Sequence, residues 1–407
     1  MDRHRIASQS IAPFVSQVGF LVLFPGFFFY HLGVSSGFLP NVFLGLFGPA
    51  SVVLTFIFLF CSPTMLARAR KEGRTVLFIF GTLFFYCTIW FVIQHYSTRV
   101  PYGGDAAVQV VTLLFSWLAL FFMGVALPYE RAGLRKAVLI SFVAIGCVAL
   151  ALFDSDTLMF NPRSLYDVSE GTASYQGYAR SAFLVGLFLL GSCSAFQMKL
   201  AVVVSSVTIL FLLGARSELF GFAALAAVVF VLDSVRSIKK IIAILLAVLA
   251  AGLFLVSNMD ILLLSRQTQV LDLNSASSWV LRRQYQDFAL GQISESPFFG
   301  LHAGHFEAGG VGAYAHNALS AWVSFGIVGF VGYVGLTVYC LVVSLKKYIG
   351  DPRSVYYGFP FFVNFVSLLL IFLSKPVFWT VPALGWGLVV NMLVSARGVV
   401  TLRAAHK

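Results

Sequence analysis

Stretches of about 20 apolar residues, each long enough for a helix to cross a hydrocarbon layer roughly 30 Å thick, recur from one end of this 407-residue chain to the other. No single soluble core could hide them. Hydrophobic residues make up 59% of the chain and charged residues 11%, so lipid must be its solvent. In lipid, backbone polar groups are satisfied either within a helix or around a closed barrel, and the polar/apolar alternation that a barrel needs is absent. The expected fold is therefore an all-α polytopic membrane protein, with residues 1–407 forming one integral membrane domain.

The apolar runs place spans at 12–34, 39–61, 75–96, 106–127, 137–154, 180–196, 199–214, 217–234, 239–258, 317–344, 358–375 and 377–396, about twelve in all. Two connectors are longer than the rest, 155–179 and 259–316. The second lies between the ninth and tenth spans, and long connectors in compact proteins usually carry function. Trp279, Gln286, Phe288, Ala289, Leu290 and Ile293 sit at helical spacing between Ser277-Ser278 and Pro297, which predicts an amphipathic helix over 278–295 lying at a membrane interface.

Basic residues accumulate in short cytoplasmic loops, and here they alternate from loop to loop. With the N-terminus inside, the cytoplasmic segments hold Arg3 and Arg5; Arg68, Arg70, Lys71 and Arg74; Arg131, Arg135 and Lys136; Lys199; Arg236, Lys239 and Lys240; Lys346, Lys347 and Arg353; and Arg397, Arg403 and Lys407. The other side holds Arg99, Arg163, Arg180, Arg216, Arg266, Arg282, Arg283 and Lys375. Both termini are thus expected on the cytoplasmic side of an inner membrane, with the 259–316 loop on the side facing away from the cytoplasm. The net charge of +11 is spent on topology in short loops, so no nucleic-acid partner is expected. The first apolar run is too long for a signal peptide and reads as a retained helix. Cys61, Cys87, Cys147, Cys193 and Cys340 fall in or beside spans and are odd in number, so no disulfides are expected.

Polar chemistry concentrates in the second half. His316-Asn317 stands immediately before an apolar run. His316 reads as a general base, its imidazole titrating near neutral pH, or else the pair is an interfacial cap with Asn317 as N-cap. Arg216, in Gly-Ala-Arg-Ser-Glu, joins two spans with almost no loop, where a guanidinium either grips an anion or snorkels. Arg282 and Arg283 on the amphipathic helix suit a phosphate, whether of a substrate or of a lipid headgroup. His302, His305, Glu307 and His316 have the residue types of a metal site but lie in a Gly-rich loop rather than on one helix face. Arg180 follows Tyr175, Gln176 and Tyr178, which either contact sugar or anchor an interface.

Arg282, Ala289-Leu290, Pro297-Phe298-Phe299-Gly300, Gly304-His305-Phe306, His316-Asn317 and Gly326-Ile327-Val328-Gly329, with Gly214-Ala215-Arg216-Ser217 upstream, follow in a defined order. In that order the chain resembles the bacterial O-antigen ligase and polysaccharide polymerase superfamily over roughly residues 200–345. It departs at His302, where the family usually has a second glycine.

The resemblance implies a membrane glycosyltransferase that moves a polyprenyl-diphosphate-linked glycan to a sugar hydroxyl at the periplasmic face. The acceptor would be lipid A core for a ligase or another lipid-linked glycan for a polymerase of O-antigen or exopolysaccharide. His316 would be the base and Arg216 and Arg282 would bind the diphosphate, assisted by Arg283; Asn317 and Arg180 would be supporting residues. Guanidinium groups would supply the charge that a metal supplies elsewhere, so no metal, no nucleotide-sugar pocket and no other cofactor are expected. The further partners would be membrane lipid and polysaccharide-assembly proteins. The main rival is a lipid-linked-glycan flippase or other twelve-helix transporter. Against it, the spans carry almost no charge at their centres and no internal repeat is evident.

Overall fold

The computed structural model describes residues 2–41, 45–69, 71–97, 103–154, 158–162, 175–234, 237, 242, 257, 277–310 and 312–405. Within them the chain is almost wholly helical. α1 (Asp2–Leu21) runs through a π-turn (Val22–Gly26) into α2 (Phe27–Ser35). There follow α3 (Phe47–Ala69), α4 (Arg74–Ser97), α5 (Gly103–Ala126), α6 (Ala132–Ala151), α7 (Tyr175–Ser192), α8 (Phe196–Leu212) and α9 (Arg216–Ser234). The last four are α10 (Ser277–Glu295), α11 (Leu319–Gly350), α12 (Val355–Leu373) and α13 (Val381–Ala405). The two strands among the described residues, β1 (Phe153–Asp154) and β2 (Met159–Phe160), form one short antiparallel hairpin. The π-turn holds Pro25, whose missing N–H and bulky ring conflict with the carbonyl four residues back. Widening by one residue lets the helix pass rather than break.

Seven of the described helices are long and apolar enough to cross a membrane, and three shorter apolar helices accompany them, at Phe47–Pro63, Phe196–Leu212 and Val381–Ser395. The exterior is as apolar as the core, with Phe60 87% and Phe78 73% exposed. Water would penalise that surface heavily and a bilayer does not, so the protein is an all-α, multi-pass membrane protein.

Inside, helices approach closely wherever glycine removes a side chain, as expected where packing rather than the hydrophobic effect joins helices. A Cβ on Gly124 of α5 would lie 2.8 Å from Leu388 N on α13, and one on Gly191 of α7 would lie 2.6 Å from Phe359 N on α12. Asn364, fully buried in α12, spends its amide on Pro360 O (2.8 Å) and on Gly385 O of α13 (2.9 Å). Trp117, Tyr333 and Trp386 bring α5, α11 and α13 together at the centre, Trp117 and Tyr333 stacking at 5.8 Å.

Several boundaries differ from those read in the sequence. α3 starts at Phe47 rather than 39 and continues to Ala69, because Gly37 and Gly45 adopt positive φ around Pro40 and interrupt the apolar run. α7 begins at Tyr175, which puts Arg180 inside the helix instead of at its start. α13 begins at Val381, leaving 375–380 as a true connector. Most of the ninth apolar run, 239–258, and all of 259–276 lie outside the described residues. α10 matches its expectation to within one residue.

Candidate functional site

α10 is amphipathic in the sense that matters for a site. Ala289, Gln292 and Ile293 are buried, and Ala289 and Ile293 join Ala315 and Val323 in a small core against α11. Val280, Leu281, Phe288 and Leu290 remain exposed. Beyond α10 the chain turns at 297–300 and is fastened to α11 where that helix kinks. Gly326 has φ 68° and ψ −175° in the middle of α11, a conformation that costs a side-chain-bearing residue dearly. A Cβ on Gly326 would also collide with Phe298 O, and one on Gly300 with Val323 O. The kink releases helix carbonyls, which the neighbours use: Leu301 N–H donates to Val323 O (2.7 Å) and Tyr86 Oη–H to Phe325 O (2.9 Å). In return the 297–300 turn accepts from Trp322 Nε1 at Pro297 O (2.7 Å) and from Trp90 Nε1 at Phe299 O (2.8 Å). The Pro-x-x-Gly and Gly-x-x-Gly steps of the sequence are thus two halves of one joint.

That joint positions the turn before α11. Asn317 Oδ1 accepts the Leu319 N–H (3.0 Å), a local cap of the helix start. Ser320 Oγ donates to Asn317 O (2.7 Å) and accepts from Val377 N (2.7 Å), which ties the turn to the connector between α12 and α13. His316, directly before this cap, is half-buried, with Tyr314 at 5.3 Å and Tyr285 of α10 at 6.4 Å between ring centroids. Burial first, then the positive charges of Arg282 and Lys375, push its pKa from 6.5 down to about 4. At neutral pH the ring is therefore uncharged and has a nitrogen lone pair for a proton.

The cations around it come from three parts of the chain. Arg282 projects from α10. Lys375 follows α12 and forms an ion pair with Glu218 in the first turn of α9 (2.5 Å), both side chains being buried. Arg216 is the first residue of α9, two positions before Glu218. Arg180 lies within the electrostatic reach of Glu218 and is sandwiched with Phe27 (4.8 Å) and Phe47 (4.0 Å). His316, Arg282, Lys375, Glu218, Arg216 and Arg180 therefore gather at one end of the bundle.

Other candidates do not join them. Arg283 is one step, about 100°, further round α10; it is exposed and is not among the charges acting on His316. His305 turns instead to Gln109 of α5 (2.8 Å), His302 lies against Phe91 and His95, and Glu307 is exposed. Among the described residues no three His, Cys, Asp or Glu side chains are placed to hold a metal ion. Tyr178 is a core residue, bonded to Ser35 (2.7 Å) and packed on Phe28 and Phe160, so it is not available to a sugar. Sequence reasoning missed Lys375 and Glu218. Both carried the signal that singled out Arg216, a charge at the junction of two apolar runs. No family model matches the chain, and no significant match is found among curated proteins.

Proposed function

We propose that this protein is a metal-independent glycosyltransferase of the O-antigen ligase and polymerase kind, moving a glycan from a polyprenyl diphosphate to an acceptor sugar hydroxyl. The observation that carries the reading is the uncharged His316 held between Arg282, Lys375 and two tyrosines. Its setting is a twelve-span inner-membrane protein with both termini cytoplasmic and the His316 end periplasmic. The balance of Lys and Arg between loops supports that orientation.

The acceptor O–H approaches the anomeric carbon and its proton passes to His316. The new C–O bond forms as the bond to the diphosphate breaks, and polyprenyl diphosphate leaves with the electron pair. Arg282, Arg216 and Lys375 stabilise the negative charge that grows on the leaving group. The same cations tune the base. Before the donor binds, burial first and then Arg282 and Lys375 hold His316 neutral; a diphosphate placed among these cations offsets their part of the shift and makes the imidazole more basic. Proton abstraction is thereby coupled to an occupied donor site.

The test is a deletion strain complemented with wild type, His316→Ala or Arg216→Ala, with membrane levels of each protein verified and lipopolysaccharide and exopolysaccharide resolved on gels. The variants are expected at normal level without restoring polymer. Accumulated long lipid-linked glycan would identify a ligase, and single repeats a polymerase. Full complementation by both would leave a transporter as the better reading.

A further inference from the structure

Next to Tyr285 and Tyr314, the two rings nearest His316, lies a narrow cleft between α10, the 313–315 segment and the first turns of α11, with room for one group about the size of a water molecule. Its lining includes Tyr285, Gln292, His305, Tyr314 and Ser324, none of them charged at neutral pH, since burial pushes His305 down to about 4. Gln292 is the unusual member. It is 6% exposed, and its amide Nε2 makes no hydrogen bond. A buried amide donor left unmade is a sizeable penalty, and a native structure tolerates one where a ligand or water completes it. The amide also lies so close to Gly304 that a Cβ there would collide with Nε2. The glycine thus keeps open the space that the amide occupies.

We propose that this cleft is the recognition pocket for one hydroxyl of the acceptor sugar, which accepts a hydrogen bond from Gln292 Nε2. The proposal rests on the transferase reading for the word acceptor. The cations that suit the diphosphate reach His316 from Arg282 and Lys375, whereas Tyr285 and Tyr314 connect the same ring to the cleft. A sugar that places one hydroxyl in the cleft has its ring outside it, beside Tyr285 and Tyr314 and toward His316, and the tyrosines offer ring faces to its C–H groups. The size of the cleft decides its role: it is too small for a pyranose ring and large enough for one substituent, so it reads the substituent that distinguishes one hexose from another. A site that hydrogen-bonds a hydroxyl rejects the analogue lacking it far more strongly than an apolar pocket rejects a methylene.

The experiment is saturation-transfer difference NMR on the full chain in nanodiscs. The probes are the methyl glycosides of glucose, galactose, rhamnose and N-acetylglucosamine, each paired with a deoxy counterpart. At least one glycoside is expected to bind, with its deoxy analogue weakened at least about tenfold. Gln292→Met should erase that difference, and Gly304→Ala, which retains the amide but fills its space, should do the same. Absence of any saccharide signal, or a deoxy difference that survives both variants, overturns the pocket. Gln292-dependent binding in a chain whose His316→Ala variant still makes polymer would sustain the pocket while removing the transferase reading.

Discussion

The two ends of α9 carry ionic clusters of opposite character. At Ser234, Lys199 Nζ bonds Asp233 Oδ2 (2.6 Å) and Tyr348 Oη donates to Asp233 Oδ1 (3.2 Å), with Lys199 also near Tyr348 Oη (3.3 Å) and Pro352 O (3.4 Å). Among the described residues Lys199 is the cation that meets Asp233, it is 2% exposed, and side chains from α8, α9 and α11 close around the pair. At Arg216 the ion pair of Lys375 with Glu218 is equally buried, yet Lys375 still acts on His316 together with Arg282, beside a cleft with an unused donor. The first cluster is complete in itself and clamps helices. The second leaves the positive charges of Arg282 and Lys375 acting on a neutral imidazole, as the proposed binding of a diphosphate requires.

This contrast can be tested in order of expected effect. His316→Gln should lower transfer by about 10²- to 10⁴-fold with unchanged thermal unfolding, while Tyr348→Phe at the other end leaves transfer intact; a purified assay in nanodiscs compares them, and equal losses would erase the distinction. Asp233→Asn strands a buried Lys199 and should destabilise by about 3–5 kcal/mol in detergent unfolding, and pairing it with Lys199→Met should recover much of the loss. An unaltered melting curve for the single variant would show that the clamp does not hold the helices.

The third test is a pH profile. Because His316 has a depressed pKa, the folded protein favours its neutral form, and the stability this contributes is present above about 6.5 and lost as pH falls toward about 4. Removing one cation with Arg282→Gln should move the acid limb of kcat/KM to higher pH, whereas Tyr348→Phe should leave it in place. An unmoved limb in Arg282→Gln would separate that arginine from the base. Smallest is the cap: Asn317→Ala should lower stability by about 1 kcal/mol in the same unfolding assay, and a much larger loss of transfer than of stability would mean that Asn317 also holds the ring.

The sequence was legible wherever one physical signal dominated. Apolar length located the helices, and apolar periodicity located α10, because burial on one face leaves a 3.6-residue trace. It failed ahead of α3, at 39–41 and 45–46, where residues of the apolar run are not helical and Gly37 and Gly45 adopt positive φ. Composition does not tell lipid-facing helix from apolar turn. His316, Arg216 and Arg282 were readable because a base or cation beside an apolar run is expensive without purpose. Gln292 was not, since its meaning depends on the missing side chain of Gly304 twelve residues later. The glycines of the 297–300 turn and of the α11 kink could be recognised as a pattern, but their mutual contact is a three-dimensional fact.

The break at Gly326 also divides α11 into parts with different attachments. The turns before it are bonded to Pro297, Leu301 and Tyr86, so they travel with the 297–301 turn, α10 and His316. The turns after it pack as an ordinary bundle helix against α12 and α4. Substitutions on the outward side of α10, at Arg283, Gln286 and Leu290, therefore alter what the molecule meets without displacing His316. On the transferase reading proposed above, one reaction centre can in this way be offered to a succession of different polymers.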